Sequence, residues 1–146
     1  MQEFYKIAIT AGVSAMPWGE VLLAIPLGIA LDLHPLATFI VAVTGNVAGV
    51  LVLERFLRRW GKLQGFLLLN KRTRWVGPIM DRFGIIGLSA QAPMISGAHA
   101  ALLLGVLSGV SRRSVLLWLT LSISGWGAAI TLGSIQGKKM VSGLWG

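Results

Sequence analysis

The chain has 146 residues, of which 55% are hydrophobic and only 12% are charged, and its formal net charge is +8. A soluble domain usually has about 25% charged residues, so this composition excludes a soluble globular protein. Cysteine is absent, which excludes disulfides, thiolate metal sites and cysteine nucleophiles. The length predicts one domain, which we expect to be an all-α integral membrane domain over residues 1–146.

The first apolar segment, residues 7–31, is interrupted at Pro17 and Gly19 and again at Pro26. The interruptions leave arms of about 10 residues, or roughly 15 Å of helix, which is about half a bilayer. Pro removes a backbone donor, and Gly permits a sharp reversal of the chain. The pattern is typical of a re-entrant helical hairpin, with these three residues as its breaks.

The next segment, residues 35–53, is uncharged and long enough to span a membrane, since about 20 apolar residues cross a hydrocarbon core of roughly 30 Å. A basic, amphipathic connector follows at residues 54–82. Eight of the 13 Lys and Arg residues lie in it, which predicts a cytoplasmic location by the positive-inside rule. The residues predicted to face anionic lipid head groups, or to act as ordinary juxtamembrane anchors, are Arg55, Arg58, Arg59 and Lys62.

The second half has the same organisation. Residues 84–110 are apolar and are interrupted at Pro93 and Gly97, which predicts a second hairpin. Residues 114–135 are uncharged and predict a second spanning helix. The predicted layout is repeat 1 at residues 7–53, the connector at 54–82, repeat 2 at 83–135 and a short tail at 136–146.

A short internal echo indicates that the two halves are copies. Residues 12–17 (GVSAMP) resemble residues 87–93 (GLSAQAP) with one insertion, and residues 27–29 (LGI) align with residues 104–106 (LGV). One spanning helix between the two hairpins would place them on opposite membrane faces, as in the inverted repeats of transporters. The alternative is four kinked or tilted spans of about 25 residues or fewer. Both topologies satisfy the positive-inside rule.

Glu20 is the clearest candidate for function. It lies in the middle of an apolar segment, and there is no Lys or Arg from Ile7 to Glu54. An ionisable group in such a segment is expensive to bury and marks a functional site, which suits a proton-coupled step. The alternative is a solvated turn residue, or a cap for the second arm of the hairpin.

Three further residues are candidates for substrate binding or proton coupling. Asn46 lies in the first span beside the pair Gly45 and Gly49, where it can also serve as a packing hydrogen bond between helices. Gln91 and His99 flank the second break, and a buried, hydrogen-bonded histidine is the ordinary alternative for His99. The sequence contains no metal-ligand cluster, Ser-His-Asp arrangement or nucleotide-binding loop, so we expect no metal, no cofactor and no enzymatic activity.

Several residues carry a resemblance to a known family: residues 14–20 (SAMPWGE), residues 24–29 (AIPLGI), Gly45 with Asn46, residues 83–88 (FGIIGL), Pro93, Gly97 with Ala98, and Gly125. The chain resembles the prokaryotic small multidrug export proteins, which look like short relatives of the DedA superfamily. The resemblance implies paired re-entrant hairpins, a prokaryotic cytoplasmic (inner) membrane location and a role in export or lipid translocation. Members typically carry Arg two residues after the hairpin Glu, where this chain has Leu22, and Trp where it has His99.

These observations predict a multi-pass membrane transporter or a translocase for lipids and other amphiphiles, coupled to protons through Glu20. Its expected partners are membrane lipids, and clustered basic residues without interleaved aromatic residues argue against nucleic acid. A second hypothesis is a non-transporting integral membrane subunit that scaffolds a larger membrane complex. A self-contained homodimer favours the first hypothesis, and stoichiometric association with a large complex favours the second.

Overall fold

The computed structural model describes residues 2–59 and 76–144. Within those residues the chain is helical and contains no strand, so the predicted all-α class is confirmed. The elements in chain order are α1 Gln2–Ala15, α2 Glu20–Ala30, α3 Pro35–Arg59, α4 Val76–Gln91, a π-helical turn Ala92–Ser96, α5 Ala98–Leu107 and α6 Arg112–Leu144.

Two helices, α3 and α6, are long and apolar enough to cross a membrane. They have 25 and 33 residues, or about 38 and 50 Å at 1.5 Å per residue, against a hydrocarbon core of roughly 30 Å. Both contain the predicted spans, residues 35–53 and 114–135, and both continue beyond them. The added turns carry charged residues such as Arg58 and Lys138, which are good helix formers and reach toward head groups, so the helix does not end with the apolar run.

The shorter helices lie on either side of the two interruptions. α2 and α5 have 11 and 10 residues, so each is about 15 Å long, or half of a hydrocarbon core. α1 and α4 precede the interruptions and have 14 and 16 residues. α4 is kinked at Gly84, which has a φ of +59°.

The predicted break at Pro26 is wrong, because Pro26 lies inside α2, which continues to Ala30. A proline inside a helix removes one hydrogen bond, here the one to the carbonyl of Leu22, and its ring crowds that carbonyl. The ring of Pro26 is exposed on the outside of the bundle, and the helix is hydrogen-bonded again at Leu31 N to Leu27 O, at 2.9 Å. Pro26 therefore does not reverse the chain.

α3 and α6 run antiparallel, and ion pairs connect them at both ends. At one end Arg112 Nη1 donates to Glu54 Oε1 at 3.1 Å. At the other end Lys138 Nζ donates to Asp32 Oδ1, just before α3, and to the carbonyl oxygen of Ile29 at 3.0 Å. The Lys138 ammonium holds the pKa of the Asp32 carboxyl below its ordinary value of 3.8. The C-terminal end of α3 therefore lies beside the N-terminal end of α6.

The α2–α3 and α5–α6 connections are built from the same backbone hydrogen bonds. Four bonds recur 77 positions later, written donor first: Leu31–Leu27 with Ser108–Leu104, Asp32–Ile29 with Gly109–Val106, Leu33–Gly28 with Val110–Gly105, and Thr38–His34 with Val115–Ser111. Asp32 and Gly109 take the equivalent left-handed position, with φ of +63° and +80°. The internal echo seen in the sequence thus has a counterpart in the backbone.

α1 packs closely on α3 through the small pair Gly45 and Gly49. A Cβ at Gly45 would lie 2.8 Å from the carbonyl oxygen of Ala11, and one at Gly49 would lie 2.5 Å from that of Ala15. Neither position has room for a side chain. The close helix approach expected of this pair is confirmed.

The buried core lies where α2, α3, α5 and α6 meet. Its fully buried apolar members include Val21, Ile25, Ala42, Leu102, Leu119 and Ile123. Because α2 and α5 both contribute to this core, one face of the first turn of each helix, which follows a break, lies inside the bundle.

Candidate functional site

The turn between α1 and α2 brings Glu20 into the interior. Gly19 N and Glu20 N both donate to the carbonyl of Met16, at 3.2 and 3.3 Å. A Cβ at Gly19 would lie 2.0 Å from the carbonyl oxygen of Val13, so only glycine fits there. Glu20 itself has a φ of +45°, a left-handed value that is strained for a residue other than glycine.

The second break passes through the π-helical turn, which contains Pro93, to Gly97. Gly97 N donates to the carbonyl of Ala92 at 2.6 Å, and its φ of +80° and ψ of +146° favour glycine. α5 begins at the next residue, Ala98. Gly97 lies 77 positions after Glu20, so the left-handed residues of the two breaks are also at equivalent positions.

The two breaks contact each other at the Glu20 carboxylate. Glu20 Oε1 accepts from Ala98 N at 2.7 Å and from His99 N at 3.5 Å, and it lies 3.2 Å from His99 Nδ1. A Cβ at Gly97 would lie 2.9 Å from the same oxygen, so the absent side chain makes room for the carboxylate. Glu20 therefore caps the N-terminus of α5 from the other half of the chain.

Glu20 and His99 are both buried, with 4% and 6% of their surface exposed. Glu20 is therefore not a solvated turn residue, and it caps α5 rather than α2, which has no side-chain cap at its N-terminus. The positive end of a helix stabilises a carboxylate by about 0.3–1 kcal/mol, and by up to about 2 when partly buried. The hydrogen bond between His99 Nδ1 and Glu20 Oε1 needs one proton, which either the ring or the carboxyl group can carry.

α3 closes the opposite side of the imidazole. A Cβ at Gly49 would lie 2.9 Å from His99 Nε2 as well as 2.5 Å from the carbonyl oxygen of Ala15. The glycine therefore lets α1 approach α3 and lets His99 pack between α3 and Glu20.

We expect Gly49→Ala to lower the free energy of unfolding by about 2 kcal/mol, because overpacking a tight contact typically costs about 1–3 kcal/mol. The measurement is unfolding in detergent micelles. Gly133→Ala on α6 is the matched control, since a Cβ there meets no described residue within 4 Å. Equal stabilities of the two variants would contradict the close packing at Gly49.

A cavity of about 650 Å³ opens beside Glu20 and His99, within the roughly 300–1,000 Å³ range of ligand sites. Both breaks contribute to its lining, through Pro17, Gly19, Pro93 and Gly97. The apolar part of its wall includes Trp18, Leu22, Leu23, Leu53, Met94 and Leu103. The cavity thus surrounds one buried ionisable pair with apolar side chains.

Asn46 and Gln91 are not part of the Glu20 contact. Asn46 is fully buried on α3, and neither polar atom of its amide has a hydrogen-bond partner in the described part of the chain. Gln91 Nε2 donates to the carbonyl of Leu88 at 3.1 Å and to Ser96 Oγ at 3.0 Å. Gln91 therefore braces the second break, whereas Asn46 retains unmet hydrogen-bonding capacity inside the bundle.

Two polar features were not predicted from the sequence. The Ala98 N–H makes the shortest hydrogen bond to Glu20, and its only sequence signal is a glycine directly before an apolar helix. Glu54 is 6% exposed and accepts from Arg58 and Arg112. The sequence feature that could have indicated Glu54 is its position as an acidic residue at the junction of an apolar span and a basic connector.

Residues 20–129 match a family model described as "Putative small multi-drug export protein". The match begins at Glu20, covers the whole of α3 and the first part of α6, and includes the second break. It spans 110 of the 146 residues. No curated protein matches the chain, and no solved structure matches it.

Proposed function

The chain belongs to the small multidrug export protein family, and we propose that it is a membrane transporter or amphiphile translocase that is coupled to protons through Glu20. The family name is consistent with a membrane transporter, and two apolar helices are long enough to span a membrane. The observation that carries the proposal is the contact between the two breaks, where buried Glu20 and His99 line one cavity.

The proposed topology is an inverted repeat of two re-entrant hairpins, each followed by a spanning helix. The antiparallel α3 and α6 and the recurring backbone bonds support it. The Glu54–Arg112 ion pair supports it further, since it joins the end of α3 to the start of α6, which four full spans would separate by the membrane. In this topology the basic residues 55–82 and Arg113 share the cytoplasmic side.

Glu20 is the proposed proton-coupling group. In its charged form it is held by Ala98 N and by the positive end of α5. A proton on the carboxyl group removes the charge and weakens the contact between the breaks. Because proton binding and the closed contact oppose each other, one equilibrium is linked to the other. The two positions that differ from the family pattern both lie at this site. Leu22 lines the cavity, and His99 is the ionisable partner of Glu20.

The proposed substrate is an amphiphile. Its polar head would lie near Glu20 and His99, and its apolar part would contact wall residues such as Trp18 and Leu103. Asn46 offers a further donor and acceptor inside the bundle. No chemical reaction is part of the proposal.

Anionic lipid head groups are the proposed partners of the basic end of α3. Arg55, Arg58 and Arg59 are exposed there, and Lys62 lies outside the described residues. A basic residue near an anionic membrane surface contributes about 1 kcal/mol of attraction. Arg58 also bonds to Glu54, so this surface adjoins the ion pair that links α3 to α6.

The proposal is tested by reconstituting the chain in liposomes with a pH gradient. Proton movement is followed with a trapped pH dye while dodecyl phosphate or dodecyltrimethylammonium is added, and lipid flipping is followed with a fluorescent phospholipid. We expect at least one of these amphiphiles or the lipid to move with protons. Rates equal to those of protein-free liposomes in every assay would contradict the proposal.

A further inference from the structure

The contact of α1 with α3 and that of α4 with α6 are at equivalent places in the two halves. The neighbours of two equivalent glycines define the correspondence: Thr10 and Thr38 around Gly28, and Ile85 and Val115 around Gly105. Thr10 on α1 corresponds to Ile85 on α4, 75 positions later. Thr38 on α3 corresponds to Val115 on α6, 77 positions later. The same shift of 75 aligns the GVSA and GLSA segments of the sequence echo.

These shifts make Ser122 and Trp126 the counterparts of Gly45 and Gly49. In the first half both positions are glycine, and the α1–α3 contact is closed. In the second half the Trp126 indole occupies the contact, and its Nε1 donates to the carbonyl of Ala90 at 2.7 Å. Ala90 is the counterpart of the alanine whose carbonyl touches Gly49. One half therefore closes on glycine where the other is held apart by a tryptophan.

The gap beside Trp126 is an apolar groove of about 440 Å³ between α4 and α6. Its lining includes Ile86 and Ala90 on α4, and Trp118, Leu121, Ser122 and Trp126 on α6. Ser122 lies 10 residues from the start of α6, or about 15 Å along the helix, which is half of a hydrocarbon core of roughly 30 Å. Trp126 lies one turn further along α6, within the predicted span 114–135, whereas tryptophan is enriched at membrane interfaces.

The groove and the cavity beside Glu20 are separate pockets that share no lining residue, and α4 with the π-helical turn connects them along the chain. Ile86, Ala90 and Met94 follow one another at intervals of four residues, and all three are exposed on α4 or on the π-helical turn that continues it. Ile86 and Ala90 line the groove, and Met94 lines the cavity beside Glu20 and His99. A molecule long enough to reach from the cavity to the groove would contact apolar side chains at both.

We propose that Trp126 is a positioning residue that holds the α4–α6 contact open, and that the groove beside it binds the hydrocarbon chain of the transported amphiphile. This inference rests on the proposed function, from which it takes the amphiphile. The apolar lining, the depth in the membrane and the position beside α4, whose π-helical continuation lines the cavity, all fit a hydrocarbon chain with a polar head.

Ser122→Cys provides the probe, because the chain has no other cysteine and Ser122 lines the groove. The variant is reconstituted in phosphatidylcholine liposomes and labelled with a lipid-soluble maleimide. We expect dodecyl phosphate or dodecyltrimethylammonium to slow labelling at least about fivefold, since bound ligands are mostly enclosed by their sites. Methyl phosphate and tetramethylammonium, which lack the chain, should not slow it.

Trp126→Gly, which installs the residue found at position 49, should let α4 and α6 close and slow labelling of Ser122→Cys without any amphiphile. Trp126→Phe keeps an aromatic ring in the gap and should leave labelling close to the original rate. Ser124→Cys is the matched control on the same helix, since Ser124 bonds to the Thr120 carbonyl and does not line the groove. Its labelling should not respond to either Trp126 variant or to amphiphile.

If the long-chain and short-chain compounds slow labelling equally, or if neither slows it, the groove does not bind a hydrocarbon chain and the proposal is overturned. If the labelling rate depends on the protein-to-lipid ratio and not on the amphiphile, a second copy of the protein occupies the groove, and the proposal is overturned. The chain-length comparison needs no Trp126 variant, so it decides the matter even if Trp126→Gly does not fold. Proton-coupled flux with no slowing of Ser122→Cys labelling would overturn only the proposed groove site. Slower labelling with no flux would overturn only the proposed transport.

Discussion

Glu20→Gln is expected to abolish the proton dependence of amphiphile flux while leaving the chain folded. The amide has the shape of the carboxyl group, and its oxygen can still accept the Ala98 N–H, but it exchanges no proton. Flux should fall by about 100-fold, the lower end of what removal of a proton-transferring group costs an enzyme. The remaining flux should not depend on pH, because the amide has no titratable proton.

The measurement is the liposome assay with a pH gradient, together with thermal unfolding in detergent. Losing the carboxylate from the N-terminus of α5 should lower the free energy of unfolding by no more than about 2 kcal/mol. Glu3→Gln is the control, since Glu3 is an exposed carboxylate that pairs with Lys6 on α1. Undiminished flux of Glu20→Gln with an unchanged pH dependence would remove Glu20 from the proposed mechanism.

Arg112→Gln should have the second large effect, on stability. Glu54 is buried, and its Oε1 accepts from Arg112 at 3.1 Å and from Arg58 at 3.0 Å. Breaking a buried ion pair typically costs about 3–5 kcal/mol, because the remaining charge is buried without compensation. Arg58 stays on the same oxygen but is largely exposed, so we expect a smaller loss of about 2 kcal/mol.

Denaturant unfolding in mixed micelles measures this loss. Arg113→Gln is the matched control, because Arg113 is exposed and makes no ion pair within residues 2–59 and 76–144. The double variant Glu54→Gln with Arg112→Gln should recover part of the stability, since it removes the buried carboxylate charge and leaves only the exposed Arg58 without its partner. Equal stabilities of Arg112→Gln and Arg113→Gln would show that the Glu54 pair does not hold α3 against α6.

The helices and the two long apolar elements were predictable from the sequence, because the length of an apolar run is a local property. Their ends were not, since the helices continue through charged residues to Arg59 and Leu144. Pro26 was wrongly predicted to break a helix because the sequence does not reveal that its ring lies on the exposed face of α2. The breaks at Gly19 and Gly97 were found, and close contacts or positive φ explain both glycines.

Glu20 was predictable from the sequence as part of the candidate site, but its hydrogen-bond partners were not. Glu20 stands out because no basic residue lies near it in the sequence, yet its hydrogen-bond partners are 78 and 79 positions away. One of them is a backbone amide, which every residue except proline has. His99 was a candidate, but nothing in the sequence pairs it with Glu20. The contrast between Gly49 and Trp126 emerges only when backbone hydrogen bonds define the shift of 77 positions.

We propose that the two hairpins enter the membrane from opposite faces and meet at Glu20. Because the chain has no cysteine, single substitutions can report on each loop. Gln64→Cys, in the connector outside the described residues, and Ser111→Cys, before α6, are each labelled in cells with a membrane-impermeant maleimide. Ser142→Cys, near the end of α6, is labelled in the same way and reports whether this helix crosses the membrane.

We predict that Gln64→Cys and Ser111→Cys are labelled from the same side of the membrane and that Ser142→Cys is labelled from the other. This pattern follows from the Glu54–Arg112 contact, which brings the end of α3 to the start of α6. Labelling of Gln64→Cys and Ser111→Cys from opposite sides would mean four full spans and would contradict the account.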